Sequence, residues 1–448
     1  MAGDPSTETL LAPGARWRDV WAEVDLAAIT HNVQVIRNHL RACAEARGGA
    51  RPSAGACGHP GSIPKLMAVV KADAYGHGAV PVARAALAAG ADWLGVATLG
   101  EAVELREAGI RAPILVLGHV SARHAGIAAA ADVTLTVASV EHARELSDAV
   151  LTTPPPRPLH VHLKLDSGMS RIGVRTVGEI QAVADLLPRA GEASGGAGTG
   201  PAFADGAERP QNTRSGRGGT PPGEAAIAVT GAFTHFARAD EADAAPARSQ
   251  WARAQVLFDA VKSLWPGPLL LHAANSAAIL TLPEAHLDMV RLGISLYGVY
   301  PSAEVAQAMQ TIAPLRQALR LYARVAQVKR VPAGTPVSYG GTHVTAGPAT
   351  LATLPIGYAD GLLRVLSNRG FVHIRGVRCP IAGRVCMDQV VVDATGVPDV
   401  REGDVATVYD EGSLVELAHL AGTIPYELLC AISRRVPRLH RPAEGLAR

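Results

Sequence analysis

Eight short apolar runs punctuate the chain between about residue 21 and residue 312: LMAVVK, WLGVAT, PILVLG, VTLTVA, HVHLKLD, AIAVTGAF, LLLHAA and MVRLGIS. Most are continuous rather than alternating, as expected of strands buried on both faces of a parallel sheet. Helical segments such as GEAVELREAG and VEHARELSDAVL sit between several of them. Ahead of them, Leu26, Ile29, Val33, Ile36 and Leu40 are spaced 3-4-3-4 and share one helix face. Eight strand–helix units of this kind predict an α/β chain with a TIM-like (β/α)8 barrel; an open doubly wound sheet is the alternative.

The pattern changes after about residue 313. ALRLYARVAQVKRV, TLATLPIGYADG, FVHIRGVRCPIAGRV, VVVDAT and VATVYD read as strands separated by Gly, Pro and Asp turns, with few helices before LVELAHLAG. The expected organisation is therefore a flexible tail over 1–20, the barrel over 21–312 and a mostly β C-terminal domain over 313–448. Residues 47–64 and 190–225 are rich in Gly, Pro, Ser and Ala and almost free of large apolar side chains. Neither can bury enough surface to offset the entropy of ordering its backbone, so both are expected to be mobile insertions.

Charge narrows the function. Forty-two Lys and Arg stand against 40 Asp and Glu, a net charge of +2. There is no basic excess to attract phosphates or a membrane surface, which argues against nucleic acid and membrane partners. No apolar stretch reaches the ~18 residues of a membrane span, and no signal peptide is read at the N-terminus. The cysteines Cys43, Cys57, Cys379, Cys386 and Cys430 are odd in number and scattered, so neither a metal site nor a disulfide frame is expected, and a cytoplasmic setting is the default.

Only Lys65, Lys71, Lys164, Lys262 and Lys329 are lysines; the other basic residues are Arg, which cannot do amine chemistry. Lys71 ends an apolar run and is followed by ADAYGHG. At the C-terminal end of a barrel strand a desolvated lysine can serve as nucleophile or base, although a strand-end lysine can equally reach out to solvent. LKLDSGMSRIG places Lys164 and Arg171 around a Gly turn, which alone reads as a strand-to-helix loop. His235 ends a further strand candidate, where a hydrogen-bonded core role is the plainer reading, and Asn275 and Ser276 follow another, where small polar residues suit a loop. Arg291 lies inside MVRLGIS, where an unpaired charge costs several kcal/mol, so it requires a partner. Tyr is scarce, yet Tyr339 and Tyr358 both sit beside Gly, a setting that also suits simple surface turns.

KLMAVVKADAYGHGAV strongly resembles the pyridoxal-phosphate segment of alanine racemases, and the later motifs LKLDSGMSRIG, VTGAFTHFARADE, HAANSAA, MVRLGISLYG, VSYGGTH, LPIGYADG, AGRVCMDQ and TIPYELLCAISRRVPR recur in that family's order. The likeness runs from Trp21 to Arg438 and departs only in the tail and the two insertions. It implies that Lys71 carries pyridoxal 5'-phosphate covalently and acts as a catalytic base, with Tyr339 as the second base. Tyr75, Ser276, Tyr426 and the backbone of Gly293 and Ile294 are implied phosphate ligands. Arg171 is implied at the cofactor phenolic oxygen and the substrate carboxylate, Arg291 at the pyridine nitrogen, and His235 as a bridge between a cofactor-side Arg and a catalytic Tyr; Asn275 joins the cofactor set. Met387 is implied at the substrate carboxylate through its N–H, Tyr358 at the entrance, and Lys164 as the lysine often carbamylated.

The resemblance further implies a head-to-tail homodimer with shared sites, alanine as substrate, and D-alanine supplied for peptidoglycan. Competing readings are a broad-specificity or serine racemase, a fold-related decarboxylase with an acidic residue at the pyridine nitrogen, and a non-catalytic pyridoxal-phosphate carrier made of a barrel alone.

Overall fold

The computed structural model describes residues 18–48, 62–187 and 227–442. The segment 190–225, most of 47–64 and the tail through residue 17 lie outside the described residues. The first strand, β1 (Val20–Asp25), is followed by the helix Leu26–Gly48, whose Ile29, Val33, Ile36 and Leu40 are fully buried. The eight apolar runs form β2 (Lys65–Val69), β3 (Trp93–Val96), β4 (Ile114–Val116), β5 (Leu135–Val137), β6 (Leu159–Lys164), β7 (Ile227–Phe233), β8 (Leu270–His272) and β9 (Met289–Leu292).

These eight make one sheet in the order β4-β3-β2-β9-β8-β7-β6-β5. Neighbours pair in parallel where their register is resolved, as in Leu163↔Ala232 and Gly231↔Leu270. A parallel bridge, Leu115↔Thr134, joins the two outer strands and closes the ring, with Val116 N–H to Thr134 O at 2.9 Å and Thr134 N–H to Ile114 O at 2.9 Å. Met67, Trp93, Leu115, Phe233 and Met289 fill its interior. Closure removes the exposed strand edges an open sheet would keep. It also decides between the two predicted topologies in favour of the barrel.

The remaining strands are β10 (Leu319–Arg324), β11 (Gln327–Val331), β12 (Pro336–Val337), β13 (His343–Val344), β14 (Ala349–Leu354), β15 (Phe371–Ile374), β16 (Val377–Pro380), β17 (Val390–Asp393), β18 (Val405–Tyr409) and β19 (Arg438–Arg441). They build a six-stranded sheet, β16-β15-β18-β10-β1-β19, with a three-stranded sheet, β11-β14-β17, and the pair β12-β13. The reading that opens the barrel at residue 21 is corrected here. β1 pairs antiparallel with β10 and parallel with β19, so it belongs to the β domain. Its side chains alternate buried and half-buried, the signature of a sheet with one covered face, whereas β3, β4, β5 and β9 are buried throughout. The chain accordingly divides into two interleaved compact units: one drawn from the chain up to His39, Ala68–Ala91 and Gly293 onward, the other from Leu40–Met67 and Asp92–Leu292.

The segment after β2 is unusual. Ala72, Asp73, Ala74 and Tyr75 all have φ of 52–53° and ψ of 42–51°, a full left-handed helical turn, and Gly76 continues at φ 81°. In that conformation Cβ crowds the next carbonyl oxygen, costing roughly 1–2 kcal/mol for each L-residue. Four such residues in a row persist only where the surroundings over-determine them.

Candidate active site

Within the unit that contains most of the barrel, the sequence-predicted cations come together around Phe233, the last residue of β7. Lys164 Nζ lies 5.5 Å and Arg291 Cζ 5.3 Å from its ring centroid. Lys164 is 3% and Arg291 2% exposed. Arg291, on β9, donates to the Thr234 carbonyl at 2.6 Å, the Ala273 carbonyl at 2.8 Å and the His272 carbonyl at 3.2 Å, and to His235 Nδ1 at 3.3 Å and His272 Nδ1 at 2.8 Å. Asn275 lies 3.5 Å from His235 Nε2 and donates to the Phe236 carbonyl at 3.3 Å. Burial, then the charge of Arg171, pull the Arg291 guanidinium down to about 9, still above neutrality, so it remains a cation at pH 7. No carboxylate pairs with it among the described residues.

Sequence reasoning missed a further chain of groups behind Arg291. A guanidinium only donates, so His272 Nδ1 must accept and its proton sits on Nε2. That N–H faces His162 Nδ1 at 3.0 Å, which places the His162 proton on Nε2, an atom with no partner among the described residues. Burial, aided by nearby cations and imidazoles, pulls His162 down to about 3 and His272 well below the usual imidazole range. Both rings are therefore neutral at pH 7. The one available signal was a His two residues before Lys164, on the same side of an apolar strand.

Lys164 closes β6 and donates to the Leu165 carbonyl at 2.6 Å. Burial, then Arg291, lower its ammonium to about 7. Asp166 accepts the N–H groups of Gly168, Met169 and Ser170 at 2.9–3.1 Å, bending the loop so that Ser170 takes φ 57° immediately before Arg171, which is exposed. Backbone donation holds the Asp166 carboxyl low against the opposing effect of its burial. Gln250, also unforeseen, ties this loop to the next: it donates to Ser167 Oγ at 3.1 Å and the His235 carbonyl at 2.8 Å and accepts from Ala237 N–H at 3.0 Å. Ser276 is buried and opens a short helix capped by Asn275.

In the other unit, Lys71 heads the left-handed turn. Tyr75, within that turn, packs its ring 4.8 Å from Tyr297 and 6.0 Å from Tyr426. Tyr297 donates its hydroxyl to the Val69 carbonyl at 2.8 Å. Gly293 leads into the 3-10 turn Ile294–Tyr297, in which Ile294 is buried.

Tyr358 and Met387 sit on neighbouring loops joined by Tyr358 N–H to Cys386 O and Ala359 N–H to Met387 O, both 3.0 Å. Asp360, fully buried, fastens that loop by accepting from Gly357 N–H at 3.1 Å and Arg18 at 2.6 Å. Ser338, beside Tyr339, donates to the Arg384 carbonyl at 2.7 Å. Tyr339 is 71%, Met387 53% and Tyr358 43% exposed.

The donor set fits pyridoxal phosphate. A buried guanidinium without a carboxylate among the described residues suits a neutral ring nitrogen, which can accept its hydrogen bond. Among the described residues no helix is long and apolar enough to cross a membrane.

Comparison with known proteins identifies the family. The alanine racemase N-terminal domain family matches residues 56–216 and 221–301, and the alanine racemase C-terminal domain family matches residues 318–440. The chain is 41% identical to an alanine racemase of Desulfosudis oleivorans, covering 94% of this chain and 96% of that protein. It is 40% identical to alanine racemase 1 of Oceanobacillus iheyensis, covering 94% and 98%. The crystal structure of alanine racemase from Bacillus anthracis with bound L-Ala-P superposes with a TM-score of 0.76 at 35% identity, covering 95% of this chain and 96% of that one. The enzyme from the D-cycloserine producer Streptomyces lavendulae gives 0.76 and 35%, covering 95% and 97%. Both halves of the sequence and the arrangement of their strands thus place the chain in the alanine racemase family.

Proposed function

We propose that this chain interconverts L- and D-alanine with pyridoxal phosphate held on Lys71, by two bases on opposite faces of the substrate. The observation that carries the reading is Arg291: a buried cation bonded to carbonyls and imidazole nitrogens rather than to a carboxylate among the described residues. Bound pyridoxal phosphate supplies an electron sink that acidifies the α-hydrogen of an attached amino acid. Arg291 donates to the pyridine nitrogen but does not give up its proton, so it tempers that sink and disfavours side reactions such as transamination. A decarboxylase would require an acidic residue in this place.

Lys71 Nζ takes and returns the proton on the D face and Tyr339 Oη on the L face. Arg171 and the Met387 N–H orient the substrate carboxylate, and His235 steadies Arg291. Tyr75, Tyr426, Ser276, Gly293 and Ile294 hold the phosphate, Asn275 joins the cofactor set, and Tyr358 narrows the entrance. The test is α-deuterium incorporation and inversion in D2O: both alanine enantiomers should exchange and invert, serine should react slowly, and no CO2 should be released. Exchange without inversion would sink the two-base reading.

Lys164 is proposed to carry a carbamate. An ammonium lowered to about 7 leaves about half the amine neutral at that pH. The neutral amine adds to CO2 and releases a proton, so a third cation becomes an anion able to hold Arg171. Incubation with 13C-bicarbonate should give a carbamate carbon resonance that strengthens as pH rises through about 7 and is absent from Lys164→Met. An unchanged spectrum in Lys164→Met removes the assignment.

A head-to-tail homodimer is the proposed assembly, each chain lending Tyr339, Tyr358 and Met387 to its partner's site. The support is that all three are well exposed within one chain although the family motif assigns them to catalysis. Specific activity should fall on dilution below the dimer dissociation constant, in step with the mass measured by light scattering. A fully active monomer contradicts the assembly. The free thiols of Cys43, Cys379, Cys386 and Cys430 support a cytoplasmic location, and supply of D-alanine for peptidoglycan is the proposed role.

A further inference from the structure

The left-handed turn that carries Lys71 is held both by its own bonds and by groups far along the chain. Its internal bonds are Ala74 N–H to Val70 O and Gly78 N–H to Asp73 O, each 2.9 Å, with Ala79 N–H to the Asp73 carboxylate at 2.7 Å. His77 Nδ1–H donates to Tyr75 O at 2.9 Å. The next two carbonyls are taken by side chains of β19. Arg438 Nε donates to Gly76 O at 3.0 Å, and His440 Nε2–H donates to His77 O at 2.8 Å.

The same Arg438 guanidinium donates to Ser433 O at 2.5 Å and to Val436 O and Ile432 O at 2.6 Å. It makes no ion pair among the described residues, so its charge is spent on four backbone carbonyls. Three belong to the segment just after the helix Pro425–Ala431, which holds Tyr426; the fourth belongs to the turn. The approach is close. A Cβ on Gly76 would meet Leu429 O at 2.3 Å, and one on Gly78 would meet His440 Nε2 at 2.7 Å.

We propose that Arg438, seconded by His440, is a positioning residue for the cofactor lysine: it clamps Gly76 and His77 to the C-terminal segment and so keeps Lys71 through Tyr75 in a turn they would otherwise leave. The inference rests on the reading of Lys71 as the cofactor lysine. Charge-assisted donation to carbonyls is stronger than a neutral bond, which suits an arginine to this task.

The test measures pyridoxal-phosphate affinity by visible absorption in the full chain and in Arg438→Met, His440→Ala, Ala72→Gly and the two Ala72→Gly double variants, with the thermal midpoint of each cofactor-free form. Ala72 is exposed, and Gly adopts its φ of 52° without steric cost. Arg438→Met should weaken binding by about tenfold or more, and His440→Ala less. Adding Ala72→Gly should recover a substantial part of the loss, which a general loss of packing would not allow. Should Arg438→Met fail to fold, the His440→Ala pair carries the same comparison. Unchanged affinity in the clamp variants, or no recovery with Ala72→Gly, overturns the proposal. A parent chain that attaches no cofactor at Lys71 instead overturns the underlying reading.

Discussion

Lys71→Ala is expected to lower racemisation by about 10⁴-fold or more, the upper end of what one acid–base group contributes. The loss is so large because a single Nζ both tethers the cofactor and handles the proton on the D face. Visible absorption of the tethered cofactor should vanish with turnover. The fold should survive, since Lys71 is only half-buried and lies outside the packed interior of Met67, Trp93, Leu115, Phe233 and Met289. Comparing cofactor-free forms isolates this point, because bound cofactor itself raises the thermal midpoint by mass action. A colourless variant that still racemises alanine would remove Lys71 from the reaction.

Tyr339→Phe should separate the two faces. The phenyl ring keeps the shape, and the side chain is 71% exposed within its own chain, so stability and cofactor absorption should not change. Removing the one oxygen that takes the proton on the L face should lower racemisation by about 10²–10⁴-fold. In D2O the α-hydrogen of D-alanine should still wash out through Lys71, while that of L-alanine becomes nearly inert. Equal residual exchange from both enantiomers would show that Tyr339 is not the base of one face.

Much of this architecture is legible in the sequence because burial on both faces writes itself as continuous apolar runs. All eight barrel strands are visible that way, from LMAVVK to MVRLGIS. β1 escaped because VWAEVD alternates, and its partners β10 and β19 lie about 300 and 415 residues away, beyond the reach of any local pattern. The left-handed turn escaped for a different reason. ADAY carries no glycine until Gly76, so nothing local announces four residues at positive φ; Arg438 and His440 impose the course from the far end of the chain. Among the site residues, Lys71 and Arg291 stood out because an amine at the end of an apolar run, or a guanidinium inside one, demands an explanation. His162 and His272 gave no such alarm. A neutral imidazole in a core is ordinary, and only the guanidinium beside them turns the pair into a fixed donor–acceptor chain.

Borohydride reduction of the purified chain after loading with pyridoxal phosphate, followed by peptide mapping, addresses the covalent claim without relying on any variant. The account predicts one stable pyridoxyl adduct, on the peptide containing Lys71, with activity lost in proportion to its yield. An adduct confined to Lys65, Lys164, Lys262 or Lys329, or activity untouched by full labelling of Lys71, would contradict it.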